Sequence, residues 1–183
     1  MIDFDRVAIG GHSAGGTVAL HNTDPSWVSG LACAFSFGGH TMTSMSLGHG
    51  EAGVTAVPSK VPILLLAGAD DGVIAASRDR YRNDDQAHDP VRRTFDEAIR
   101  RNQNDSWLVE IADGNHFTIC DPIDETSGRS FLEAELRSTD RLARDTLASV
   151  LTAFLGEHCQ EPSEQDRVED LVNATTISRW ARR

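Results

Sequence analysis

Arg6-Val7-Ala8-Ile9-Gly10-Gly11-His12-Ser13-Ala14-Gly15-Gly16 is the stretch that decides the fold. Arg6 to Gly10 reads as a strand, and Ala14 to Asn22 as a short helix that stops before Pro25. Between them Gly11-His12-Ser13-Ala14-Gly15 is a G-x-S-x-G sequence in strand–turn–helix context, the setting that gives the motif meaning. So sharp a turn needs small residues beside the serine, and Gly11 and Gly15 are expected to permit the close approach. The turn would push the Ser13 hydroxyl out beyond the sheet and aim the Ala14 N–H at a developing oxyanion, with the helix N-terminus adding positive potential. The competing phosphate-cradling loop would need Gly-Lys-Ser/Thr, but Lys60 is the only lysine of the chain.

Outward from this turn, short apolar runs alternate with helical patterns. Leu31 to Phe37 reads as a second strand, Val61 to Ala67 as a third and Trp107 to Ala112 as a fourth. The third is apolar on both faces, as a central parallel strand should be. Gly38 to Lys60 is rich in Gly, Ser and Thr and reads as loop. Pro90 to Arg101 and Phe131 to Cys159 carry helical stripes. Strands joined by helical crossovers imply an α/β class, with a parallel sheet and flanking helices. In such sheets ligands bind beyond the carboxyl ends of the strands, so chemistry is sought where each strand stops.

The third strand stops at Gly68-Ala69-Asp70-Asp71-Gly72-Val73-Ile74, and the fourth at Asp113-Gly114-Asn115-His116-Phe117. Of seven histidines, His116 is the one that follows these aspartates directly after a strand. A hydroxyl nucleophile needs a base, and the base needs a carboxylate to fix its tautomer and stabilise its charged form. His12 belongs to the turn and is expected to pack beneath it. His40, in Gly38-Gly39-His40, and Phe117 are candidates for lining the pocket. Trp27, Phe37 and Trp107 are further aromatic candidates for substrate contact.

With these motifs in the order nucleophile, acid, histidine, the chain resembles the α/β-hydrolase superfamily. Within it, the chain looks like the dienelactone-hydrolase-like and polyester-hydrolase-like serine esterases. The resemblance runs over roughly Ile2 to Cys159 and implies the α/β-hydrolase fold with Ser13 as nucleophile and His116 as base. The family's Gly-x-x-Asp pattern favours Asp71 as the acid, since Gly68 stands three residues before it; the adjacent Asp70 stays open. Some dienelactone hydrolases carry cysteine at the nucleophile position, but this turn carries serine. The implied activity is hydrolysis of carboxylic esters, small or polymeric, through an acyl-enzyme. Two alternatives stand beside it: a non-catalytic or truncated binding module of the same fold, and an acyltransferase.

The resemblance also sets an expectation about what precedes the turn. The family's elbow strand follows several other strands, whereas here it starts near Met1. The chain is therefore expected to be the C-terminal portion of the fold, without the N-terminal strands and without the loop that donates the second oxyanion N–H. Val7 and Ile9 would then lie on an open sheet edge through which copies of the chain could pair. Residues 1–160 are assigned to this portion and 161–183 to a frayed or loosely docked C-terminal tail.

Composition bounds the rest. The 183 residues carry 17 Lys and Arg against 28 Asp and Glu, a net charge of −11. That balance argues against nucleic acid as partner, which calls for a basic surface. No apolar run approaches the roughly 20 residues of a membrane span. Met1-Ile2-Asp3-Phe4-Asp5-Arg6 shows no secretory pattern, so a cytoplasmic location is expected. Cys33, Cys120 and Cys159 are odd in number and lack paired spacing, and read as free thiols. Cys120, four residues past His116, is placed near the candidate site. No metal-ligand spacing is evident, and no cofactor is implied. The acidic run Asp121 to Thr126 lacks calcium-loop spacing. The charged segment Ala75 to Asn104 suggests either a lid or a solvated helix.

Overall fold

The computed structural model describes residues 4–45, 48–77, 89–100, 105–121, 140–160 and 167–183. Along the chain come β1 (Val7–His12), α1 (Ala14–His21), β2 (Leu31–Phe37), β3 (Met42–Thr43), β4 (Gly53–Val54), β5 (Ile63–Gly68), α2 (Gly72–Ser77), α3 (Pro90–Arg93), β6 (Trp107–Ile111), α4 (Asp140–Cys159), α5 (Val168–Leu171) and β7 (Ile177–Arg182). The main sheet has the order β1-β2-β5-β6-β7. Its first four strands are parallel, and β7 is antiparallel to β6. A mostly parallel sheet with flanking helices is the α/β-hydrolase architecture that the motifs imply.

The alternation of side chains along each strand divides the core in two. Leu64 and Leu66 of β5, with Trp107, Val109 and Ile111 of β6, face α4 and α5 and meet Leu147, Val150, Phe154, Val168 and Val172. Ile63, Leu65 and Leu108 face the other way, onto Leu20 of α1 and onto Val91, Phe95 and Ile99. Every residue of β5 is buried, as expected of a strand covered on both faces. β1 is only partly buried and lies at one end of the sheet.

Several sequence expectations need correction. The loop reading of Gly38 to Lys60 misses β3 and β4, a two-residue antiparallel ladder. The helix from Pro90 changes to a π-helical turn over Thr94–Ala98. The tail is not frayed: Val168 and Val172 are buried, and Ile177–Arg182 completes the sheet against β6. Three arginines anchor that strand. Arg179 pairs with Asp89 at 2.9 Å and with Glu110, Arg182 pairs with Asp105 at 2.5 Å, and Arg183 pairs with Asp96 at 2.8 Å. Charged side chains on the outermost strand also discourage pairing with a further chain. The lid reading of 78–88, the helical stripe over 131–139 and the acidic stretch 122–126 lie outside the described residues.

Candidate active site

Ser13 stands between β1 and α1 with φ 55° and ψ −123°, a backbone conformation that L-residues avoid. Its N–H donates to the Phe37 carbonyl at 2.9 Å, and its carbonyl accepts from Thr17 N–H at 3.1 Å. Ser13 holds the N-cap position of α1, yet its side chain makes no capping hydrogen bond. A serine at that position ordinarily uses its hydroxyl as the cap. Here the strained backbone withholds the hydroxyl from that use. Ala14 is exposed at the first helical position, where an N–H lacks an intrahelical acceptor.

Small residues make this turn possible, though not all of those expected. A Cβ on Gly11 would collide with the backbone of Gly15 and Gly16, and one on Gly16 would strike the Ser36 hydroxyl. Gly15 itself has open space where its side chain would be, so the second close approach belongs to Gly16.

Asp71 is 8 % exposed at the start of α2. Its Oδ1 accepts from Ile74 N–H at 2.8 Å, and its Oδ2 lies 2.8 Å from His116 Nδ1. The first contact fixes the carboxylate, and the second orients the imidazole. With Nδ1–H donating to Asp71, the neutral ring presents Nε2 as acceptor. That Nε2 is buried and has no hydrogen-bond partner among the described residues. Asp70, the open alternative, instead clamps the loops: its N–H donates to the Gly114 carbonyl at 2.8 Å.

The loop carrying His116 is held by a local network. Asn115 Oδ1 accepts from Phe117 N–H at 2.9 Å, and Asn115 N–H donates to Thr118 Oγ1 at 2.8 Å. Asn115 and Thr118 are both buried. Neither was singled out by sequence reasoning, although an Asn next to the histidine is a recognisable turn signal.

The other candidates divide. The His12 ring lies 4.5 Å from that of His116, centroid to centroid, and 5.8 Å from Phe37. It stands beside the histidine rather than only beneath the turn. Phe117 meets His116 edge-on at 5.7 Å. His40 is half-buried, its Nδ1 accepting from Met42 N–H at 3.3 Å. Burial pushes its imidazole down to about 4, against the upward pull of Asp89 and Asp71. Phe37 and Trp107 are core residues, whereas Trp27 is 65 % exposed.

Two residues that sequence reasoning passed over join these pieces. A Cβ on Gly38 would lie 3.0 Å from His116 Nδ1 and 3.3 Å from Asp71 Oδ2, and one on Gly39 would lie 2.8 Å from the Ser13 carbonyl oxygen. The glycine pair that follows β2 thus separates the serine turn from the Asp–His pair. The signal was present in Gly38-Gly39, directly after a strand. Among the described residues, Asp105, Glu157 and His158 could hold a metal ion, but they lie at the amino end of β6, away from Ser13 and His116. Asp105 is already paired with Arg182, and Glu157 accepts from Val168 N–H at 2.6 Å.

A parallel sheet whose first loop strains a serine, and whose later loops bring a carboxylate onto a histidine, places the protein among the α/β-hydrolases. The sequence profile of the phospholipase/carboxylesterase family matches residues 1–100, and the chain belongs to that family of hydrolases. The match takes in Ser13 and Asp71 and ends before His116. No curated protein matches the chain. Among the described residues, no helix is long and apolar enough to cross a membrane.

Proposed function

We propose that the chain is a serine hydrolase of carboxylic esters, with Ser13 as nucleophile, His116 as base and Asp71 as its orienting acid. One observation carries this reading. The strained Ser13 turn beyond β1 and the buried Asp71–His116 pair beyond β5 and β6 stand at the carboxyl ends of parallel strands, with the two glycines that follow the intervening β2 between them. In the reaction His116 Nε2 takes the Ser13 proton as the oxygen attacks the ester carbonyl. Asp71 stabilises the imidazolium that forms. The Ala14 N–H stabilises the oxyanion. The alcohol leaves with the proton from His116, and water activated by His116 then releases the acid. The narrower likeness to dienelactone and polyester hydrolases rests on the Gly-His-Ser-Ala-Gly-Gly segment together with the stretches Gly68 to Ile74 and Gly114 to Phe117.

The test is labelling of the purified chain by a fluorophosphonate, with the adduct located by mass spectrometry and folding checked by circular dichroism. An adduct on Ser13 that is lost in His116→Ala supports the reading. A folded chain that stays unlabelled and hydrolyses no nitrophenyl ester overturns it and favours a binding module.

A further inference from the structure

The hydrolase reading leaves one pair of nucleophilic groups unused. Cys33 is fully buried in the middle of β2, and Cys159 is the half-buried last residue of α4. They stand 126 residues apart in sequence, yet their Sγ atoms are 3.4 Å apart. A disulfide needs about 2.0 Å between sulfurs, so closure asks for a shift of about 1.4 Å. A helix end is where such a shift meets least resistance, because the last turn has lost part of its hydrogen-bond ladder. Cys33 cannot move as easily: it lies in a strand paired on both sides and packs in the cluster of Phe37, Val150 and Phe154.

We infer that Cys33 and Cys159 form an oxidation site, a dithiol that takes up a low-molecular-weight disulfide and closes into a bond between β2 and the end of α4. The steps balance. The Cys159 thiolate attacks one sulfur of the small disulfide RSSR, forms a mixed disulfide and releases RS⁻, which becomes RSH with the Cys159 proton. The Cys33 sulfur then attacks the Cys159 sulfur and expels the second RS⁻, which leaves as RSH with the Cys33 proton. The two thiols are oxidised, RSSR is reduced to two RSH, and no other reactant is needed. Cys159 acts first because it is the more accessible of the two. Burial, and the contact with Cys159, push the Cys33 thiol above its ordinary range and keep it protonated, which makes the second step the slow one. Cys120 lies in the turn after His116, where its N–H donates to the Phe117 carbonyl, and takes no part.

The experiment exposes the purified full chain to glutathione disulfide and counts thiols after denaturation. The expected result is a fall from three titratable thiols to one, with a Cys33–Cys159 cross-link in the unreduced peptide map. Cys120→Ser keeps the cross-link and Cys159→Ser loses it. Since the bond closes a loop of 126 residues, the oxidised chain should melt on the order of 10 °C higher, and dithiothreitol should reverse the gain. Cys159 is half-buried at a helix end, so its serine variant keeps the fold available for comparison. Three thiols surviving the treatment overturn the inference, and so does a bond through Cys120, a glutathione adduct that persists on Cys159, or cross-linking only between copies.

Discussion

Gly38 lies against His116 so closely that a single added carbon would stand 3.0 Å from its Nδ1. The residue also has φ +64°, a conformation that side chains rarely adopt. Gly38→Ala therefore carries two penalties. The backbone should cost about 1–2 kcal/mol of stability. The displaced imidazole should lower kcat on the order of 10²-fold, as misplacement by about an ångström does. Denaturant unfolding and nitrophenyl-ester kinetics read the two effects separately. An unchanged kcat would show that the contact does not hold the ring.

The two adjacent aspartates should behave differently. Asp71→Asn removes the carboxylate that orients His116, and turnover should fall on the order of 10⁴-fold. Asp70→Asn leaves the backbone clamp to Gly114 in place and should stay within a few-fold of the parent. Equal losses in both variants would refute the assignment of Asp71.

Ser13 should be a site where activity and stability oppose one another. Its backbone strain costs on the order of 1–3 kcal/mol, which glycine would not bear. Ser13→Gly is expected to unfold at higher denaturant concentration while losing all fluorophosphonate labelling. A less stable variant would mean that the serine side chain supports the fold.

Stability should fall as the solution is acidified from neutrality. The His40 imidazole has an unfolded value near 6.5 and is held at about 4 in the folded chain. Between these values the unfolded chain binds a proton that the folded chain does not. Lowering the pH through that window therefore favours unfolding, by on the order of 3 kcal/mol once both limits are passed. Burial lowers His21 and His158 in the same direction. His40→Asn keeps an acceptor for Met42 N–H and should flatten the dependence without abolishing it. Urea midpoints at pH 7 and pH 4.5 measure the difference; identical slopes in parent and variant would defeat the prediction.

The docking of the C-terminal segment, α5 and β7, should rest on apolar packing more than on its ion pairs. Val168 and Val172 are 0 % and 2 % exposed, and each alanine substitution should cost on the order of 2 kcal/mol. Arg182→Ala loses ion pairs to Asp105 and Glu169 and a stack on Trp107, with the arginine side chain 40 % exposed. At that exposure the loss should be under about 1 kcal/mol. Thermal melts of the three variants would show the order.

What could be read from the chain beforehand follows from how local each signal is. The Ser13 turn, β2 and β5 were legible because apolar runs and glycines act over a few residues. The strand ends pointed to His116 and to the aspartate pair, since parallel topology gathers those ends at one side, whereas the preference for Asp71 over Asp70 rested on the family's Gly-x-x-Asp pattern. β7 was not legible. Ile177-Ser178-Arg179-Trp180-Ala181-Arg182 reads as a basic tail until its acidic partners Asp89, Asp105 and Glu110 are brought beside it by the fold. α2 is six residues long and opens on a glycine, too short for a helical period to show. Gly38 and Gly39 looked like loop filler because the groups that need their small size come from distant segments.

The partner strand for β6 is made late. Arg179 lies 69 residues beyond Glu110, its ladder neighbour. At translation speeds of about 5–20 residues per second, that distance takes several seconds to synthesise. Throughout that interval Trp107 to Ile111 waits with one row of backbone groups unmatched. Birth at the ribosome is thus a moment when each new molecule is open to joining its sheet to the wrong neighbour.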